Sequence, residues 1–211
     1  MIDCSTCDLS IEGARLFKGV LRPCIAELKE VLAGLPPDEA GIRINGIERL
    51  KPLLANTGGI GAVAASVLGK GAKPVRAILF NKSPDTNWSL AWHQDRTICV
   101  KERREAPGFG PWTVKSGMHH VAPPFGLLAH MITLRAHLDD VPATNAPLLI
   151  APGSHILGRI PVSDIDRIVR RCGTRACLAE AGDIWLYSTP ILHASEAASA
   201  SEIPVGAVIL D

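Results

Sequence analysis

Near residue 74 the apolar residues change period, and that change sets the architecture. Upstream, Leu16, Val20, Ile25, Leu28, Val31 and Leu32 fall near helical spacing, so residues 12–34 are predicted as helix, interrupted at Pro23 and stopped at Gly34. Two further helical stretches are expected over residues 47–54 and 59–68. Downstream, short apolar runs cover residues 75–80, 98–100, 131–138, 148–150, 183–187 and 205–210. Loops rich in Pro, Gly, Asn and Asp separate them, which is the signature of strands. One more helix is expected near 163–171, with Ser163 as its cap, Asp164 and Asp166 in its first turn and Arg170 and Arg171 in its last. A helical third followed by short strands predicts a mainly β core flanked by helices.

The chain has 211 residues, enough for one domain: 1–70 mostly helical, 71–211 the β core. Apolar residues make up 47% and the formal net charge is +1, which recruits neither nucleic acid nor an anionic membrane. The N-terminus has no basic segment followed by an apolar one, and the longest apolar stretch, residues 60–68, is too short to span a bilayer. A cytoplasmic protein with free thiols is the expectation. Cys4-x-x-Cys7 has the spacing of half a zinc site, but no second pair completes it.

The chemistry concentrates in Trp92-His-Gln-Asp95. Residues two apart on an extended strand share a face, so His93 and Asp95 can reach one metal ion. His193 follows about a hundred residues later, after a Gly-Asp turn and an apolar strand. Two imidazoles and one carboxylate on one side of an ion leave its other side open, the arrangement of mononuclear iron(II) oxygenases. Seven histidines are present, so two ordinary satisfied histidines remain the competing explanation.

Further segments extend the pattern in order. They are Phe80-Asn-Lys-Ser-Pro-Asp-Thr-Asn-Trp88, Pro111-Trp-Thr-Val-Lys115, His120-Val-Ala-Pro-Pro124, Leu134-Arg-Ala-His-Leu-Asp-Asp140, Asn145-Ala-Pro-Leu148, Pro152-Gly-Ser-His155 and His193-Ala-Ser195. With them, the chain resembles the phytanoyl-CoA dioxygenase family of iron(II)/2-oxoglutarate oxygenases. The resemblance implies a double-stranded β-helix, a cupin-like jelly roll with helices packed on one sheet. It implies Fe(II) on His93, Asp95 and His193, 2-oxoglutarate as co-substrate, contacts to it from Gln94 and Ser195, and hydroxylation of a small organic molecule. The strand over 131–138 would line the pocket, with Thr133, Arg135 and His137 on one face and Ile132 and Leu134 on the other.

Two departures stand out. The family places an Arg about ten to thirteen residues after the distal His to pair with the far carboxylate of 2-oxoglutarate. Here residues 201–210 contain no Arg or Lys, nor does any position after Arg175. Arg135 and Lys82 are the replacement candidates. The same gap supports an alternative, a metal-binding jelly roll that does not turn over 2-oxoglutarate. The second departure is Ala146 where the family usually has Gly.

Overall fold

The computed structural model describes residues 9–36, 39, 41–82, 87–198 and 205–210, with Lys82 and 205–210 described as strand backbone only. Cys4 and Cys7 lie outside the described residues. In chain order the elements are α1 (Leu9–Glu12), β1 (Ala14–Phe17), α2 (Ile25–Leu32), β2 (Gly41–Arg43), α3 (Lys51–Leu54) and α4 (Gly61–Leu68). Then follow β3 (Ala77–Lys82), β4 (Leu90–His93), β5 (Ile98–Val100), β6 (Trp112–Lys115), β7 (Met118–Val121) and α5 (Phe125–Ala129). The last are β8 (Ile132–His137), β9 (Leu148–Ile150), α6 (Ile165–Cys172), β10 (Arg175–Cys177), β11 (Ile184–Ser188), β12 (His193–Ser195) and β13 (Val205–Leu210).

The strands form a six-stranded sheet of order β1-β11-β8-β13-β3-β2, a four-stranded sheet β10-β9-β12-β4, and a three-stranded sheet β5-β7-β6. This is the expected jelly roll. The large sheet alternates strictly. Leu134, Ala136, Ile184 and Leu186 face one way and pack with Leu28, Val31 and Leu32 of α2. Each such aliphatic side chain contributes about 1.5–3 kcal/mol by leaving water, so this layer fixes the sheet's outer face. Trp185 and Tyr187 face the other way and meet Leu148, Ile150 and Cys177 of the smaller sheet. Because side chains alternate, Arg135, paired opposite Trp185, is directed between the sheets.

The predicted helix over 12–34 is corrected: beyond Glu12, which ends α1, only Ile25–Leu32 is α-helical there. Residues 14–17 instead pair antiparallel with β11, from Ala14 opposite Tyr187 to Phe17 opposite Ile184. Gly13, at φ +77°, turns the chain into that strand, and a Cβ on it would stand 2.4 Å from the His155 ring. His155 is thereby a packing residue. Lys115, His119 and His120 lie on the β6–β7 hairpin. Ala146 adopts φ +48°, a conformation that favours Gly, which accounts for the residue usual at this position in the family.

Candidate metal centre

Three ligands converge because two strands pair. β4 and β12 run antiparallel with His93 directly opposite His193. Their rings lie 4.2 Å apart, centroid to centroid. Asp95 follows two residues after His93, beyond the strand end. Ligand atoms of His93, Asp95 and His193 all lie within 4.8 Å of one another, and this is the metal-type cluster present among the described residues.

The backbone selects which nitrogens face the centre. His93 Nδ1 lies 2.8 Å from the Ala91 carbonyl oxygen, and His193 Nδ1 lies 3.0 Å from that of Ile191. A carbonyl accepts only, so each Nδ1 carries the proton and each Nε2 keeps a lone pair for an ion. Burial pushes His193 toward its neutral, ligating form; the charge of Asp95 opposes this, while that of His93 adds to it. Two imidazole nitrogens and one carboxylate fit an open-faced iron(II) site.

The residues between and behind the ligands hold them in place. Gln94, expected at the co-substrate, does not line the cavity, and its amide is occupied elsewhere. Its Nε2 donates to the carbonyls of Gly158 at 3.0 Å and Pro190 at 2.8 Å, and its Oε1 accepts from Ile160 N–H at 2.9 Å. Buried Ser154, in the Pro-Gly-Ser-His segment, accepts the Leu192 N–H at 2.8 Å, one residue before His193. Thr133 is likewise displaced from its expected role: its hydroxyl meets that of Thr189 at 3.1 Å and does not line the cavity. For Lys82 only the strand position is described.

A cavity of about 340 Å³ opens on the three ligands. Ser195 and Arg135 line it. Arg135 is 7% exposed, and its Nε has no hydrogen-bond partner among the described residues. Burial lowers its pKa, against the smaller opposing effects of Tyr187 and Cys177. Sequence reasoning missed Arg43 and Arg76, which also line the cavity; Arg76 Nη2 lies 3.7 Å from Asp95 Oδ2. Neither belongs to a motif. Only the pairing of β2 with β3 brings Arg43 here, opposite Ile78. Trp88 lines the wall beside Phe80, ring centroids 5.3 Å apart, whereas Trp92 packs in the core around Ile165 and Ile168.

Comparison with known proteins agrees with this geometry. The family model for phytanoyl-CoA dioxygenase (PhyH) matches residues 59–202, more than half of the chain. Among solved structures, EctD from S. alaskensis in its apoform superposes with a TM-score of 0.67 at 15% identity, over 100% of this chain and 78% of that one. HygX from Streptomyces hygroscopicus, with nickel and 2-oxoglutarate bound, gives 0.63 at 13% identity, over 96% and 83%. The non-heme alpha ketoglutarate dependent carbocyclase SnoK from nogalamycin biosynthesis gives 0.64 at 16%, over 96% and 80%. No curated protein sequence matches the chain. No helix among the described residues is long and apolar enough to cross a membrane. At these identities the neighbours establish the fold, and the family match establishes the rest: this chain belongs to the phytanoyl-CoA dioxygenase family and is an iron(II)/2-oxoglutarate-dependent oxygenase.

Proposed function

We propose that the chain oxidises a small organic substrate in the cavity between its two larger sheets. Nε2 of His93, Nε2 of His193 and a carboxylate oxygen of Asp95 hold the iron(II). Arg135 receives the far carboxylate of 2-oxoglutarate in place of the Arg missing after His193, and Ser195 lies alongside it. Iron(II) with 2-oxoglutarate supplies the oxidising power for C–H cleavage.

The protein contributes position and environment. The Nδ1 bonds fix both imidazoles in the ligating tautomer. Phe80, Trp88 and Leu90 give the cavity an apolar wall that limits water around the reacting carbon. The observation that carries the reading is the shared cavity, with an open-faced triad of candidate ligands and a buried guanidinium whose Nε is unpartnered among the described residues. The same guanidinium weakens the alternative of a jelly roll without turnover, whose chief support was the absence of a cation for the co-substrate. The test is release of succinate coupled to substrate oxidation. It should disappear in His93→Ala and Asp95→Ala proteins that keep the wild-type circular dichroism; persistent coupled release in either variant refutes the assignment.

A further inference from the structure

The cavity carries more positive charge than the proposed reaction uses. Among the described residues, four cationic side chains line it, Arg43, Arg76, Lys115 and Arg135, against the carboxylate of Asp95. Iron(II) and 2-oxoglutarate carry equal and opposite charges, so together they leave that excess unchanged. Arg135 is assigned to the co-substrate. Beside it stand Arg43, Arg76 and Lys115, which come from three separate elements: the end of β2, the residue before β3 and the end of β6.

These three act around one point. Buried His120, on β7, is pushed below its ordinary range by burial first, and the charges of Arg76, Lys115 and Arg43 add to the push. Arg43 Nε is buried without a hydrogen-bond partner among the described residues. Arg76 is already partnered, leaning on Asp95 at 3.7 Å, and so joins the cluster to the candidate metal site. Like charges gathered in a half-enclosed space are costly unless a ligand brings the opposite charge. The same cavity also has an apolar lining, Ile78, Phe80, Trp88 and Leu90, with Ile78 beside Arg43 on the neighbouring strand.

Resting on the oxygenase reading above, we propose that Arg43 and Lys115, beside Arg76, bind an oxyanion on the substrate, a carboxylate or phosphate monoester carried on a compact apolar body. The oxyanion anchors the molecule at the cation cluster, and the apolar body lies along the aromatic wall toward the ligand triad. Arg43 and Lys115 then determine substrate specificity without touching the metal.

The test uses isothermal titration of the full chain under nitrogen with manganese(II). The first titration is 2-oxoglutarate alone; its failure to bind defeats the oxygenase reading and leaves the cation cluster to be judged separately. The second compares 3-phenylpropanoate and phenyl phosphate with neutral 3-phenylpropanamide. It is repeated in metal-free Arg135→Leu protein, so that the cluster is judged whichever way the first titration falls. At least one acid should bind about tenfold or more tightly than the amide, as expected for charge-assisted hydrogen bonds. Arg43→Gln and Lys115→Gln should each shrink that preference, and the double variant should abolish it, with 2-oxoglutarate affinity unchanged. Equal binding of acids and amide, no binding of either acid, or a preference that survives in the double variant overturns the proposal.

Discussion

Replacing Arg135 with Leu should move two observables in opposite directions. The guanidinium is 7% exposed and its Nε is unpartnered among the described residues, so the ligand-free protein bears the cost of a buried charge with little return. Exchange of buried ionic groups for apolar ones of similar size is often stabilising, by about 1–4 kcal/mol. At the lower half of that range, and about 2–4 °C per kcal/mol for a chain of this length, the melting temperature of the ligand-free variant should rise by about 2–10 °C. Co-substrate binding should fall instead. A bidentate, charge-assisted pair with the far carboxylate is worth about 3 kcal/mol, so the Kd for 2-oxoglutarate should weaken by about a hundredfold. The control is 2-oxopentanoate, which chelates identically but lacks that carboxylate. Wild type should prefer 2-oxoglutarate by about a hundredfold, and Arg135→Leu should lose the preference. Anaerobic calorimetry with manganese(II) and a thermal melt read both effects. A variant that retains the preference for 2-oxoglutarate would refute the reasoning and assign the carboxylate to another cation.

Three further outcomes follow from particular residues. Burial, and then the charge of Arg135, hold His137 at about 3 against an ordinary 6.5. The unfolded chain takes up that proton below 6.5 while the folded chain refuses it, so stability is lost as pH falls through this window, by about 1.4 kcal/mol per pH unit. Between pH 6.5 and 5, urea melts should show wild type losing about 2 kcal/mol more than His137→Leu; equal losses count against the mechanism. Ala146→Gly should relieve the left-handed backbone at φ +48° and raise stability by about 1 kcal/mol in the same assay, an unchanged midpoint being the contrary result. Gln94→Leu strips partners from Ile160 N–H and from two carbonyls, costing about 3 kcal/mol of stability and about tenfold or more in manganese(II) affinity. At saturating metal its affinity for 2-oxoglutarate should match wild type; a selective loss there would restore Gln94 as a direct contact.

Local pattern carried the strands well. Residues 98–100, 148–150 and 205–210 read as strands and are β5, β9 and β13 with the same bounds. Alternation placed Arg135 on the face of β8 opposite Leu134. It failed for β1, where Leu16 and Val20 fit a helical spacing by coincidence and pairing with β11 decided the outcome. The ligand triad was legible because His93 and Asp95 are close in sequence and His193 follows a recognisable turn and strand. Gln94 turns out of the cavity, which adjacency in the motif does not reveal: on an extended chain it faces away from its neighbours. Arg43 and Arg76 were invisible because their proximity to the ligands comes from strand pairing far along the chain, which no short motif encodes.

The position of β13 also bears on how the molecule assembles. It follows β12 in sequence, yet it lies between β8 and β3 and pairs with both, from Val205 opposite Lys82 to Leu210 opposite Leu134. Until it inserts, the half bearing Arg135 and the half bearing Ile78 and Phe80 lack the strand that joins them. Loop closure over so long a separation is slow, so co-substrate affinity should be acquired late in folding rather than early.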